Sequence, residues 1–191
     1  MVEMQNPVEK IADEILVIDA KHGRRAAFDM LVSRWQKRLW WHALNLTGRT
    51  EAAWDITQES WLDIVRGMTR LNDPAKFGSW AYRIVSHKAY DWLSRNRRER
   101  FSEIEQENTL RTTVPAQHDK ASDVHDVLQL LPGPAQVVLN LYYLEGFDVA
   151  EIGDILATPV GTVKSRLHAA RIEFRKRWES LGAFSHEVGR K

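Results

Sequence analysis

"PVGTVKSRLHAARIEFRKRW", residues 159–178, decides how the second half of the chain folds. It carries six Lys or Arg against one Glu, its apolar residues recur at helical spacing, and it opens on Pro-Val-Gly-Thr. Just upstream, "DVAEIGDIL" reads as a short helix with Asp148 as its N-cap, and "ATPV" reads as a tight turn. A short helix, a four-residue turn and a basic helix form the helix-turn-helix pattern, in which the first helix braces the second against the DNA major groove. Ile152, Ile155 and Leu156 are expected to pack against Val163 and Leu167. That packing leaves Thr162, Lys164, Ser165, Arg166 and His168 outward or flanking. Thr162 and the N–H groups of the first turn suit a phosphate oxygen, and Arg166 can reach a guanine edge. Further along, Arg171, Arg175, Lys176 and Arg177 fall where phosphates would lie. Charge alone favours a solvated surface helix; the brace, the turn and the Gly-Thr start reverse that in favour of DNA.

Working outward, the 191-residue chain is 43% hydrophobic, with six Pro and ten Gly, and shows no sustained alternating pattern. An all-α protein follows, with enough apolar residues for a core. Net charge is only +1, but its distribution is uneven. Residues 79–100 carry six bases against two acids, and residues 101–126 carry six acids against two bases. Two basic segments flanking an acidic one imply two anion-binding surfaces on two units. The absence of cysteine excludes disulfides, thiolate metal sites and a cysteine nucleophile. The N-terminus mixes acids into its apolar residues, so no signal peptide is expected, and no apolar run reaches the roughly 20 residues that cross a bilayer. A cytoplasmic location is expected.

Five divisions are expected: an N-terminal helix or extension (1–22), a helical domain (23–100), a flexible acidic linker (101–122), the helix-turn-helix domain (123–178) and a tail (179–191). Helices are predicted over 8–21, from Arg24 to Gly48, from a Thr50 cap to about Met68, and from Phe77 to about Arg97. Phe28, Leu31, Trp35, Leu39 and Ala43 form one stripe. "LNDPAKFGS", residues 71–79, has turn chemistry. The helix after it interleaves Trp80, Tyr82, Tyr90 and Trp92 with Arg83, Lys88, Arg95, Arg97, Arg98 and Arg100, the combination that unpaired bases and their backbone require. Phe77, Ala81, Ile84 or Val85, and Trp92 also fall at core spacing, so each ring has a structural reading beside the nucleic-acid one.

Specific motifs carry a resemblance. Leu131-Pro132, Glu145-Gly146, Glu151-Ile152, the run Gly161 to Leu167 and Ala170-Arg171 closely resemble the promoter-reading domain of bacterial sigma factors. "DITQESWL" and "FGSWAYRIVSHKAYDWLSRNRR" resemble the second conserved domain of that family. With no domain between them, the arrangement is similar to the extracytoplasmic-function class (group 4) of the sigma-70 family. The resemblance implies a non-enzymatic subunit without metal or cofactor that binds core RNA polymerase and directs promoter-specific initiation. Asp55, Gln58 and Glu59, with Trp61 beside them, would contact the clamp helices of the largest subunit, and the promoter-reading domain would meet the flap. Asn72, Asp73 and Lys76 match the loop that captures a −10 base, followed by Trp80, Arg83, His87, Arg95, Arg97 and Arg98 for the opened strand. Thr162, Lys164, Ser165, Arg166, His168, Arg171 and Arg175 match the −35 surface. An anti-sigma factor, often membrane-anchored in this family, is implied as regulator. Departures from the family pattern are Ser86-His87 for Arg-Asn, Ala81 for a bulkier residue, Gln136 for Arg, and Ala157-Thr158 for Gly-Ile.

Geometry is consistent with two units. Promoter elements some 20 to 25 base pairs apart are separated by roughly 70 to 85 Å, while one globule of this length has a radius of gyration of about 16 Å. A polymerase-independent helix-turn-helix regulator is the alternative; it leaves "DITQE" and residues 77–100 unexplained. A third reading draws His118, Asp119, Asp123, His125 and Asp126 as a metal cluster, against which stands a plain solvated linker and helix start.

Overall fold

The computed structural model describes residues 7–103 and 124–187, all helix and turn with no strand among them. Eight α-helices follow in order: α1 (Pro7–Lys21), α2 (Arg25–Thr47), α3 (Thr50–Gly67), α4 (Phe77–Glu103), α5 (Val124–Gln129), α6 (Gly133–Leu139), α7 (Val149–Ile155) and α8 (Val160–Glu187). None among the described residues is long and apolar enough to cross a membrane. The predicted stripe of α2 is buried at Leu31, Trp35, Leu39 and Ala43, with Phe28 packed at its margin. α2 stops at Gly48, whose φ of 68° is the left-handed C-cap and whose N–H reaches the Leu44 carbonyl at 2.7 Å.

Three boundaries differ from the sequence reading. Thr50 does not cap α3: Arg49 holds that position without a side-chain bond, and Thr50 is already helical. α4 continues to Glu103, past the expected end of its domain. α8 runs to Glu187, so the helix continues through residues 179–187. α4 has no Pro or Gly after its expected end, and α8 runs through Gly182 without stopping. Residues 104–123, which hold most of the expected linker, lie outside the described residues, as do His118, Asp119 and Asp123 of the metal reading.

In the first unit α1 to α4 enclose Val17, Leu31, Trp35, Leu39, Ile56, Ile64, Phe77 and Val85. In the second α6 to α8 enclose Val137, Val138, Leu141, Ile152, Ile155, Val163 and Leu167. Each such side chain contributes about 1.5–3 kcal/mol by leaving water. The brace works as expected: Ile152, Ile155 and Leu156 are buried with Val163 and Leu167. Asp148 caps α7 in a full capping box with Glu151. The turn that follows places Ala157 at φ 48°, a left-handed position where the family's glycine would be unstrained.

The two units also touch. α6 packs on α2, and α7 packs on α4, so the apolar core is continuous through both.

Two sequence departures find structural explanations. Ser86 is fully buried and shares a 2.8 Å hydrogen bond with His42 Nε2, so it is a core group. His87 stays exposed. Gln136 is buried, its amide donating to the Leu131 carbonyl at 2.7 Å. Burial pushes the His42 imidazole from 6.5 down to about 3. A proton therefore binds the unfolded chain first, and stability present above pH 6.5 is lost as the pH falls toward 3. The expected slope, where carboxylates contribute least, rises from about 0.7 kcal/mol per unit at pH 6.5 toward about 1.4 near pH 5. Urea midpoints across that range check it, and a His42→Leu chain should show a flatter profile.

Candidate nucleic-acid interfaces

The N-terminal half of α8 presents Lys164, Ser165, Arg166 and His168 to solvent, with Thr162 half-buried among them. The Thr162 and Val163 N–H groups both donate to the Pro159 carbonyl, at 2.9 and 3.0 Å. Thr162 therefore has its hydroxyl, and not its N–H, to offer a phosphate. The Ser165 hydroxyl donates back to the Thr162 carbonyl at 2.9 Å, which ties it to its own helix. Arg171 is held over the Tyr142 and Tyr143 rings and donates to the Tyr143 hydroxyl at 2.8 Å. Arg175 is exposed.

The 71–79 turn is built by Asp73, whose carboxylate accepts the Ala75 N–H at 3.0 Å ahead of Pro74. Asn72, Asp73 and Lys76 are all exposed there. Lys76 already has a partner in the second unit: its ammonium donates to Glu151 Oε1 at 2.9 Å, which holds it above the usual lysine range. Along α4, Arg83, His87 and Arg95 are exposed, while Trp80 is half-buried against Phe77. Tyr82, one of the interleaved aromatics, is a core residue 3% exposed, so it has no free face for a base. The side chains of Arg97 and Arg98 lie outside the described residues.

α3 separates two faces cleanly. Ala53, Ile56, Thr57, Ser60 and Ile64 point inward. The Thr57 and Ser60 hydroxyls donate to carbonyls of their own helix, so they are buried without loose donors. Asp55, Gln58 and Glu59 point outward. Glu59 shares Lys88 with Asp63, at 3.4 and 2.7 Å. Trp61 turns partly inward, edge-on to Phe28 at 5.8 Å, with no acceptor for its buried indole N–H among the described residues. The sequence reading missed Trp54, Leu62 and Val65, which stay exposed on this face. Their signal is present as an apolar stripe on the acidic side of the helix; only burial tells it from the core stripe.

A further surface lies beside α8. Val124, Leu128, Leu139, Leu144, Phe174 and Trp178 line an open groove of about 540 Å³, rimmed by Arg171 and Arg175. Phe174 and Trp178 stack there at 6.0 Å. Among the described residues no group of His, Cys, Asp or Glu is placed to hold a metal ion.

Two family models match in the order of these units: Sigma-70 region 2 over residues 31–99, and Sigma-70, region 4 over residues 121–173. The "ECF RNA polymerase sigma-E factor" of Haemophilus influenzae is 29% identical over 177 residues, covering 85% of this chain and 93% of that protein. The chain belongs to the extracytoplasmic-function class of the sigma-70 family. The "RNA polymerase sigma-H factor" of Pseudomonas aeruginosa is 27% identical, covering 88% of this sigma factor and 95% of that one. Among solved structures, RpoE of Bartonella quintana in complex with the anti-sigma factor NepR is similar, with a TM-score of 0.61, 19% identity, and coverage of 80% of this chain and 96% of that one. CnrH in complex with the cytosolic domain of CnrY has a TM-score of 0.57 at 22% identity, over 88% and 98%. At these identities both structures speak for the fold. As a sigma factor, this chain directs transcription initiation by RNA polymerase.

Proposed function

We propose that this sigma factor grips its promoter at two points, reading −35 duplex with α8 and −10 single strand with the 71–79 turn and α4. The division into 23–100 and 123–178 is part of that proposal. The observation that carries it is the brace: with Ile152, Ile155 and Leu156 buried on Val163 and Leu167, α8 is held as one body with α7, and its exposed N-terminal half presents Arg166 and His168. Arg166→Ala should relax −35 sequence preference, with a discrimination loss of about 1–3 kcal/mol. Lys176→Ala should leave preference intact and lower the salt slope of binding by about 1. Binding titrations on promoter variants at several salt concentrations separate the two; uniform weakening by both would end that division of labour.

The outer face of α3 supports docking on the clamp helices of core polymerase, through Asp55, Gln58 and Glu59 with Trp54, Leu62 and Val65. The groove between α5 and α8, apolar with an arginine rim, is assigned the flap contact. An anti-sigma partner is part of the same proposal, with the relatives' complexes as its support. Melting uses binding energy alone, so no covalent chemistry, metal or cofactor is assigned, and a cytoplasmic site of action follows from the polymerase partner. Run-off transcription with core polymerase on genomic fragments tests the reading. New start sites that depend on this chain are expected; none would overturn it.

A further inference from the structure

α1 carries none of the residues assigned to DNA. It packs, however, on two short turns of the −10 segment: Met68–Arg70 just before it and Pro74–Lys76 within it. Two side chains of α1 govern the ends of the 71–79 turn. Lys21 is the last residue of the helix. A lysine there ordinarily serves the final carbonyls of its own helix. Its ammonium instead donates to the Leu71 carbonyl at 2.5 Å, 50 residues away, and the side chain is half-buried. The Leu71 N–H is already taken by the Met68 carbonyl at 3.1 Å. Both polar groups of the Leu71 backbone are therefore held. A peptide unit is planar, so fixing the Leu71 oxygen fixes the whole 71–72 plane. The direction in which Asn72 leaves the backbone follows from that plane.

The other end is held through Trp35. A Cβ on Gly78 would fall 2.7 Å from Trp35 Cη2, so the rim of the indole rests on bare backbone there. Asp13 of α1 orients that ring: its Oδ2 accepts the indole N–H at 3.2 Å, while Oδ1 accepts Arg34 at 2.7 Å. Asp13 is itself buried. Between the two anchors the turn holds itself. The Asp73 carboxylate accepts the Ala75 N–H, and the Asp73 carbonyl accepts the Lys76 N–H, each at 3.0 Å. Asn72, Asp73 and Lys76 are thus exposed on a backbone fixed at both ends. Resting on the −10 assignment above, we propose that α1 is the frame of the −10 turn. Lys21 and Asp13 are its positioning residues, fixing the base-capturing side chains without touching DNA. A recognition site needs its reading groups held to within about 0.5 Å. An Asn72 free to swing with its peptide plane would miss that tolerance.

Lys21→Met keeps the aliphatic stem and removes the donor. The readout is binding by holoenzyme, assembled from the full chain and core polymerase. The probe is a fluorescein-labelled single strand carrying the −10 element of a promoter found by run-off transcription. Strands with each −10 base replaced in turn give a discrimination ratio. Lys21→Met should lower that ratio about tenfold, the scale of one hydrogen bond to a charged group. The salt slope of binding should not change. Lys21→Arg restores a cationic donor and should discriminate as the wild type does. Trp35→Phe loses the Asp13 bond at the other anchor and should lower the ratio as well. Affinity for −35 duplex should stay the same in all three.

A lower urea midpoint for Lys21→Met with an unchanged ratio would make Lys21 a stabilising contact only and overturn the proposal. A salt slope reduced by about 1 would make it a phosphate contact and overturn the proposal whatever the ratio. An arginine chain as impaired as the methionine chain would equally count against the hold on the Leu71 carbonyl. Asn72→Ala combined with Asp73→Ala separates this inference from its basis. Loss of discrimination there but not in Lys21→Met removes the framing role alone. No loss in either chain removes the −10 assignment with it.

Discussion

Asp55→Ala combined with Glu59→Ala is expected to weaken association with core RNA polymerase by at least about 100-fold, and adding Leu62→Asp to abolish it. The reason is the separation of faces on α3. Asp55, Gln58 and Glu59 are exposed, and Trp54, Leu62 and Val65 lie exposed on the same side at 42%, 57% and 52%. An apolar strip beside acids has the composition of a docking face, where a few residues each contribute about 2 kcal/mol or more. The folded chain should survive the changes, because Ile56 and Ile64 hold α3 from its opposite face. Lys88 loses Glu59 but keeps Asp63 at 2.7 Å. Pull-down with core polymerase is the measurement, with far-UV circular dichroism as the control. Undiminished association of the doubly substituted chain would remove the docking assignment and leave the DNA surfaces standing.

Trp35→Ala is expected to cost about 3–5 kcal/mol, within the range for deleting a buried aromatic ring. Trp35 is 2% exposed and packs edge-on to Phe77 at 5.4 Å and Tyr82 at 6.2 Å. Arg38 stacks on its ring at 4.4 Å. Its indole N–H donates at 3.2 Å to Asp13, which Arg34 also binds at 2.7 Å. Burial pushes the Asp13 carboxyl up even with these donors present, so losing one leaves a poorly solvated group. Set against a total stability of about 5–15 kcal/mol, the alanine chain would be marginal at 37 °C. Trp35→Phe keeps most of the ring contact and loses the hydrogen bond, so about 1–2 kcal/mol is expected. Urea unfolding of both variants gives the comparison. A cost under 1 kcal/mol for the alanine would mean that α1, α2 and α4 do not depend on this ring.

Much of the fold is legible in local pattern. Leu31, Trp35, Leu39 and Ala43 recur at the helical period and are buried together; Gly48 marks the end they imply. Asp148 and Glu151 announce a capping box, and Ile152, Ile155, Val163 and Leu167 announce two helices that close on each other. The basic exposed half of α8 follows once that seam is assigned. These signals act over one to four residues, the range in which backbone sterics and neighbouring side chains operate. Ends were harder to read: no Pro or Gly lies between Arg97 and Glu103, and α8 runs through Gly182 to Glu187.

Site chemistry was legible less evenly. Tyr82 and Arg83 are neighbours in a basic aromatic segment, yet one is sealed in the core and the other is open. Ser86, where the family pattern has Arg, is buried and shares a hydrogen bond with His42 on another helix. Trp54, Leu62 and Val65 escaped notice since an apolar residue at helical spacing reads as core until its surroundings are known.

The sequence by itself determined that this chain is helical, that it ends in a braced basic helix, and which side chains could meet DNA. Only the tertiary structure decided which of those side chains are spoken for. Arg38 meets Glu145 and Lys76 meets Glu151 across 107 and 75 residues. Such pairings depend on how two helical units come to rest against each other, a consequence of the whole packed surface that no local period encodes.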